Sequence, residues 1–362
     1  MSESYYQEAV KPLLQSHFPA MQISAGLLGD GSEILGFDTE MSQDHDWGPR
    51  VMLFLTESDQ AKSGKQVAFM LQQELPKTFH GFATQFTTPN QIVEFRAENQ
   101  SSEMHTAKHS DAASLSVEIL TEQKFFWQHI GFELSEQIEP ADWLTFPEQK
   151  LATIVGGRVF EDQIGLQAIR DRFAYYPKDV WLYLLACQWT RIEQEEHLMG
   201  RAGYAGDELG SAIIAARLVR DLMRLCFLIE KQYAPYPKWF GTAFMRLQSA
   251  NTLAPLFRQI LASSTWEDRQ KWLTEAYEFV AETHNELKIT KVLPTSVRQF
   301  HGRPFSVISM GDFSKAIFSQ IQDPTVRKIS EKRPIGSIDQ FSDSTDLISD
   351  AAWRSTLKNL YV

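Results

Sequence analysis

The chain has 362 residues, which is enough for two domains with a well-buried core. Its 43% hydrophobic and 22% charged residues are typical of a globular protein, whereas the net charge of -11 argues against general binding of nucleic acids or membrane surfaces. No apolar run is long enough to span a bilayer, and Met1–Tyr6 shows no signal-peptide pattern. Cys187 and Cys226 lack metal-binding spacing and are typical of buried helix positions in a reducing compartment. We therefore expect a cytoplasmic protein.

The N-terminal third is predicted to mix helices and strands. Apolar residues at helical spacing predict helices at 4–18 and Gln60–Leu75, which Pro19 and Pro76 end. Apolar runs predict a short strand or connector at Met21–Leu28, and strands at Arg50–Leu55, Gly81–Phe86, Gln91–Glu98 and Ser114–Leu120. The polar stretch Asn99–Asp111 is predicted to be a mobile loop. His105 and His109 lie in it at a spacing that would suit a metal on a helix, but a solvated loop is favoured.

Between the first two predicted strands, the stretch Gly29–Gly48 carries two features that suggest phosphate chemistry. Gly31-Ser32 can form a tight turn whose backbone N–H groups and hydroxyl face an anion. Asp44 and Asp46 flank a single residue at the entrance to a strand, where residues i and i+2 point to the same face. Two adjacent carboxylates repel unless a cation lies between them, and oxygen ligands suit Mg²⁺. Together these features predict a site that moves a phosphoryl or nucleotidyl group.

This pattern resembles the nucleotidyltransferase superfamily of the DNA-polymerase-β type, and is closest to its small bacterial members. More narrowly, Gly29–Arg50 and Ala234–Trp239 are similar to the uncharacterised bacterial family "domain of unknown function 4037", over most of the chain. Two departures from the superfamily pattern are His45, where an apolar residue is usual, and Asp30, which replaces an aliphatic or aromatic residue before Gly31. The alternative is an acidic turn in which Asp44 is a cap and Asp46 is solvated.

The resemblance implies an α+β protein: an N-terminal nucleotidyltransferase-type mixed sheet with flanking helices at residues 1–125, then a mainly α-helical domain at residues 140–362 with an irregular tail. Apolar periodicity within the second part predicts helices at Trp143–Gly156, Lys178–Met199, Asp207–Tyr233, Lys238–Leu247, Leu253–Ser263 and Trp266–Lys288. The stretch Asp207–Tyr233 is apolar almost all round, which is typical of the centre of a bundle. After Pro294 we predict one short helix at Asp312–Ile321.

The resemblance also implies a third carboxylate on a later strand, which would ligate a metal or take a proton from the attacking hydroxyl. Glu94 and Glu118 both stand between two apolar residues. Glu118 is favoured because its strand leads directly into an apolar helix, as in the family. Glu94 is followed by Arg96 on the same face, so a surface ion pair accounts for it.

Cationic side chains in the helical part are candidates for contacts to a triphosphate. Lys231 and Lys238 flank the Tyr233-Ala-Pro-Tyr-Pro stretch and are the preferred candidates. Arg217, Arg220 and Arg224 form a second, weaker candidate stripe, because Arg217 also suits an ordinary i, i+4 pair with Asp221. The segment Arg191–His197 resembles a nuclease-type helical motif, but its three glutamates indicate a solvated helix face. A cationic substrate bound by these glutamates is a less favoured alternative.

Three classes of function fit these patterns. The first is a Mg²⁺-dependent (or Mn²⁺-dependent) enzyme that transfers a nucleoside monophosphate from an NTP to a hydroxyl and releases pyrophosphate. Asp44, Asp46 and Glu118 would hold the metals, and Gly31-Ser32 would grip the outer phosphates. The second is a catalytically silent nucleotide-binding protein, and the third is an antitoxin-like interaction protein. The Asp pair favours the enzyme because a silent protein has little need of metal ligands. The acidic charge argues against a polynucleotide acceptor and leaves small molecules or proteins.

Overall fold

The structure is a computed structural model, and it describes residues 1–39, 48–86, 114–332 and 334–362. Its contacts divide the chain into two compact units, one of Met1–Phe125 with Gly156–Asp171 and one of Phe126–Val155 with Arg172–Val362. Helices and a small mixed sheet are both present, so the protein is of the predicted α+β class.

The secondary structure follows a simple order, with strands concentrated before residue 165 and helices after it. The helices are α1 (Ser2–Tyr5), α2 (Lys11–His17), α3 (Ser32–Leu35), α4 (Glu57–Glu74), α5 (Glu122–Ile130), α6 (Pro140–Trp143), α7 (Glu148–Val155), α8 (Leu166–Asp171), α9 (Lys178–Glu195), α10 (Leu198–Tyr204), α11 (Glu208–Ile229), α12 (Pro237–Phe244), α13 (Ala250–Ala262), α14 (Trp266–Glu286), α15 (Asp312–Phe318), α16 (Pro324–Lys332), α17 (Ile338–Phe341), α18 (Thr345–Ser349) and α19 (Arg354–Lys358). The strands are β1 (Ile23–Leu27), β2 (Val51–Leu55), β3 (Thr78–Phe79), β4 (Phe82–Ala83), β5 (Gln85–Phe86), β6 (Ser114–Leu115), β7 (Val117–Leu120), β8 (Arg158–Asp162), β9 (Arg298–Gln299) and β10 (Ser306–Val307).

The first unit is built on a four-stranded sheet of order β7-β2-β1-β8. Strand β1 runs antiparallel to both β2 and β8, whereas β2 and β7 are parallel. All five residues of β2 are buried, as expected of an inner strand that is covered on both faces. The end of β1 and the starts of β2 and β7 therefore lie at the same edge of the sheet.

A helical N-terminal segment covers part of this sheet. A π-helical turn at Tyr6–Val10 joins α1 to α2. Tyr5, the last residue of α1, and Tyr6, the first residue of the turn, are both buried. The Tyr5 hydroxyl accepts a hydrogen bond from Ser116, at 3.0 Å, and the Tyr6 hydroxyl donates one to Glu161, at 2.7 Å. Each aromatic ring thus contributes to the core while its hydroxyl keeps a polar partner.

Strand β8 returns to the first unit after α7, although it lies within residues 140–362, the range expected from the sequence for the helical domain. The return begins at Gly157, whose φ of +68° turns the chain, and its N–H donates to the carbonyl of Ile34. Strand β8 then pairs with β1 in a register that shifts between Ala25 and Gly26. Only five residues long and without a continuous apolar run, β8 gives a weak signal in the sequence.

The second unit is helical. Helix α9 packs against α11 and α15, and α13 packs against α14. Trp189 of α9 is fully buried and stacks on Phe313 of α15 with ring centroids 4.1 Å apart. The tail contains a helix at Asp312–Phe318, within the predicted Asp312–Ile321, and its described residues form four further short α-helices beyond it. Prediction missed these four because helices of four to nine residues contain too few apolar repeats to register as periodic.

Candidate functional site

The Gly-Ser turn lies at the edge of the sheet where β1 ends. Gly29 and Gly31 both have positive φ angles, +79° and +144°, and Ser32 begins the short helix α3. A Cβ at position 31 would lie 2.7 Å from the ends of the Arg50 and Glu33 side chains, which would have to move, and the φ of +144° favours glycine there. The backbone here depends on both glycines, and the contact of Gly31 and Ser32 with a phosphate stays a prediction from the sequence.

Arg50 connects this turn to the start of β2. Its guanidinium pairs with the Glu33 carboxylate and lies 3.5 Å from the carbonyl oxygen of Asp30. Its backbone N–H donates to the hydroxyl of Ser2, at 3.3 Å. Sequence reasoning missed this role of Arg50, although an arginine directly before an inner strand is a signal that could have suggested one.

Glu118 lies on β7, next to β2 and opposite Met52 in the register. Its side chain is exposed, but surrounding protein atoms remove part of the hydration of its carboxyl. This partial desolvation raises the pKa of Glu118, and the positive charges of Lys124 and Arg50 oppose the rise. Glu118 is therefore an exposed carboxyl near the starts of two adjacent parallel strands.

The structure does not describe the other predicted carboxylates. Asp44 and Asp46 lie outside the described residues, as do Glu94, His105 and His109. The described chain resumes at Gly48, shortly before β2 begins at Val51. The metal-ligand roles of the two aspartates stay predictions from the sequence.

A divalent metal requires several oxygen ligands. The described residues contain no group of three or more His, Cys, Asp or Glu side chains that could hold a metal ion. Among the described residues at this sheet edge, Glu118 on β7 offers one oxygen donor. The donor chemistry fits Mg²⁺ or Mn²⁺ only if Asp44 and Asp46 supply the remaining ligands.

Lys231 and Lys238 belong to the second unit, and both are exposed. Lys231 has a φ of +52°, and its ammonium lies 4.5 Å from the centre of the Trp181 ring, where a cation–π interaction holds it. The ammonium of Lys238 lies 5.7 Å from the ring of its neighbour Trp239. Neither contact tests their predicted role in nucleotide binding.

The segment between these lysines is fixed by hydrogen bonds to side chains of α7. The N–H of Ala234 donates to the Glu148 carboxylate, at 2.7 Å, and the N–H of Tyr236 donates to the Gln149 side chain, at 2.9 Å. Glu148 is buried, and its own N–H donates to Asp339, at 2.9 Å. Burial and the neighbouring Asp339 raise the pKa of the Glu148 carboxyl. Sequence reasoning missed this buried acid pair.

The arginine stripe of α11 contacts the rest of the second unit. Arg217 pairs with Glu195, and Arg220 donates two hydrogen bonds to Asp343, at 2.6 and 2.5 Å. The Arg224 guanidinium lies 5.5 Å from the centre of the Phe240 ring. These contacts give each arginine a structural role.

The glutamates that follow Arg191 are also not a solvated face. Glu196 is buried and accepts hydrogen bonds from the backbone N–H groups of residues 308–310, at 2.7 to 3.0 Å. Glu193 accepts one from the Ser314 hydroxyl, at 3.1 Å. The expectation failed because residues about 115 positions later in the chain supply the donors, which local sequence does not reveal.

A family model described as "Domain of unknown function (DUF4037)" matches residues 143–240. The matched stretch includes Glu148 and Ala234–Trp239, so it supports the resemblance to that family there, whereas Gly29–Arg50 lies outside it. No curated protein and no solved structure matches the chain. Among the described helices, none combines the length and apolarity needed to cross a membrane.

Proposed function

We propose that the protein is a Mg²⁺-dependent (or Mn²⁺-dependent) nucleotidyltransferase. It would transfer a nucleoside monophosphate from an NTP to a hydroxyl of a small molecule or protein and release pyrophosphate. The observation that supports this most is the parallel pairing of β7 with β2, which places Glu118 opposite Met52. The Gly31-Ser32 turn lies at the same sheet edge, and Asp44 and Asp46 precede β2 in the sequence.

Each residue has a definite role in this proposal. The acceptor hydroxyl attacks the α-phosphorus, the bond to the bridging oxygen breaks, and pyrophosphate leaves. Glu118 takes the hydroxyl proton or completes the metal site. Gly31 and Ser32 bind the outer phosphates. A divalent cation held by Asp44, Asp46 and Glu118 would neutralise phosphate charge. Contact of Lys231 or Lys238 with the triphosphate stays a prediction from the sequence.

The first experiment measures turnover. Purified protein is incubated with labelled NTPs, Mg²⁺ or Mn²⁺, and pooled acceptors comprising small molecules, tRNA and proteins, and both labelled product and pyrophosphate are measured. Glu118→Gln should lower the rate by about 10²- to 10⁴-fold while nucleotide binding changes little. Glu94→Gln is the matched control and should be close to neutral. A larger loss in Glu94→Gln than in Glu118→Gln would assign the third carboxylate to Glu94.

The second experiment measures nucleotide binding without an acceptor. NTP with Mg²⁺ should raise the thermal midpoint, because a ligand that binds only the folded protein stabilises it. Asp46→Asn should abolish this shift and leave the protein folded without nucleotide. An unchanged shift in Asp46→Asn would remove Asp46 from the site. A normal shift in the native protein without turnover of any acceptor would indicate a catalytically silent nucleotide-binding protein instead.

A further inference from the structure

The second unit carries a cluster of basic and aromatic side chains that the proposed function does not use. We call it the hairpin site, and its residues are His197 and Arg201 from the start of α10, and Phe300, His301 and Arg303 from the connection between β9 and β10. The Phe300 ring stacks on the His197 imidazole with centroids 4.2 Å apart and planes within 13°. The His301 ring lies 4.6 Å and the Arg303 guanidinium 6.0 Å from the same phenyl ring.

Helix α10 extends this cluster along one face. The N–H of Arg201 donates to the carbonyl of His197, at 3.4 Å, so the two side chains are one turn apart. Tyr204 follows Arg201 by three residues and is 69% exposed. Its ring meets the edge of Phe305 at 5.9 Å. An exposed aromatic ring therefore lies beside the basic groups.

The connection that presents His301 and Arg303 is held in one conformation. The N–H of Phe300 donates to the carbonyl of Phe305, at 2.9 Å, and the N–H of Arg303 donates to the carbonyl of Phe300, at 3.0 Å. Gln270 of α14 bonds the backbone on the far side of the turn, at Pro304 and Ser306. His301 has a φ of +49°, which a residue with a side chain rarely adopts unless its surroundings fix it.

The charges of this cluster are not balanced locally. Arg201, His301 and Arg303 are exposed, and within the described ranges no carboxylate forms an ion pair with any of them. The chain as a whole carries a net charge of -11, so three basic side chains around the Phe300 ring, with Arg201 one helical turn from His197, are a local exception. Basic groups concentrated in this way favour binding of an anion.

We propose that the hairpin site binds the phosphoryl group of a small phosphorylated ligand through the guanidinium groups of Arg201 and Arg303. Arginine suits this role because its planar fork donates two parallel hydrogen bonds to phosphate oxygens. Exposed Tyr204 offers a face on which the base of a nucleotide stacks. The site lies entirely within the second unit and needs no metal, so it is independent of the proposed nucleotidyltransferase site.

Calorimetric titration tests this proposal with inorganic phosphate, pyrophosphate and AMP, at low salt and with EDTA to exclude metal-dependent binding elsewhere. The double variant Arg201→Gln, Arg303→Gln should bind pyrophosphate and AMP at least about tenfold more weakly. The matched control is Arg258→Gln, Lys328→Gln, which removes two exposed charges from α13 and α16 and should bind like the native protein. Equal affinity in the first double variant, or no saturable binding of any probe, would overturn the proposal.

Tyr204→Ala distinguishes a nucleotide ligand from a phosphate ligand that carries no base. It should weaken AMP binding and leave pyrophosphate binding unchanged, because only AMP carries a base. Equal AMP affinity in Tyr204→Ala would overturn the stacking role.

The His197 imidazole gives a direct spectroscopic readout. Burial lowers its pKa, and the positive charges of Arg201, His301 and Arg303 lower it further, while a hydrogen bond to the Glu193 carbonyl opposes them. A bound phosphate should therefore raise the pKa of His197, as measured by NMR titration with and without pyrophosphate. An unchanged pKa at saturating pyrophosphate would place the ligand elsewhere on the molecule.

Discussion

Glu122, the first residue of α5, is expected to make the stability of the first unit depend on pH. It is half-buried, and its Oε1 atom has no hydrogen-bond partner in the described part of the chain. Desolvation, together with the negative charge of Asp162, raises the pKa of the Glu122 carboxyl from 4.5 to about 7. Because the folded protein holds this proton more tightly than the unfolded chain, stability falls as the pH rises between these two values.

The size of the effect follows from the two pKa values. Each pKa unit corresponds to about 1.4 kcal/mol, so ionisation of Glu122 costs the folded state about 3 kcal/mol once the pH is above 7. Glu122→Gln removes this cost and keeps the shape of the side chain. We expect the variant and the native protein to be equally stable near pH 4.5, and the variant to be more stable by up to about 3 kcal/mol at pH 8.

Urea unfolding followed by circular dichroism, at several values of pH from 4.5 to 8, measures this difference. Glu57→Gln is the matched control, because Glu57 is also the first residue of a helix that follows a threonine, but it is exposed. The free-energy difference between Glu122→Gln and the native protein should change with pH by more than that between Glu57→Gln and the native protein. A Glu122→Gln curve that runs parallel to the native curve across this range would refute the reasoning.

Three further substitutions test other contacts. Gly157→Ala should destabilise the first unit by more than about 2 kcal/mol, because the φ of Gly157 is positive and a Cβ would collide with the Leu27 carbonyl. Thermal unfolding measures this loss, and a change of less than about 0.5 kcal/mol would contradict the prediction. Glu196→Gln should lower the free energy of unfolding by about 1–3 kcal/mol, as measured by urea unfolding, because one of the two acceptor oxygens becomes an amide donor that faces backbone N–H groups. An unchanged unfolding midpoint would show that these hydrogen bonds contribute nothing to stability. Glu148→Gln should stabilise the second unit at pH 8 and much less at pH 5, because it removes a buried charge and keeps an acceptor for the Ala234 N–H, and a pH-independent effect would contradict the raised pKa.

The sheet could be predicted where a strand carries a continuous apolar run. Val51–Leu55 and Val117–Leu120 lie within the strands expected from the sequence, and Ile23–Leu27 lies within the predicted strand or connector. Their parallel or antiparallel pairing was not predicted, because periodicity does not specify which strands are neighbours. Strand β8 was missed because its partner β1 lies more than 130 residues earlier and its own pattern is short.

Some of the candidate site residues could be predicted from the sequence, as some strands could, and others could not. The turn at Gly31 could be predicted because positive φ angles favour glycine, and glycines leave a visible pattern in the sequence. The role of Arg50 could not, because it depends on the distance between its side chain and a turn that precedes it by about 20 residues. Glu122 and Glu148 look like ordinary first-turn glutamates in the sequence, and only the packing around them reveals their raised pKa values.

The position of β8, more than 130 residues after its partner β1, affects folding of the first unit during synthesis. While a ribosome synthesises the first 157 residues, β1 has β2 on one side and an open row of backbone N–H and C=O groups on the other. An open strand edge of this kind can pair with another nascent chain and promote aggregation. An expression clone that stops at residue 125 would keep that edge open permanently. Adding residues 156–171 through a short linker supplies the missing strand and should yield a fragment that is monomeric and soluble.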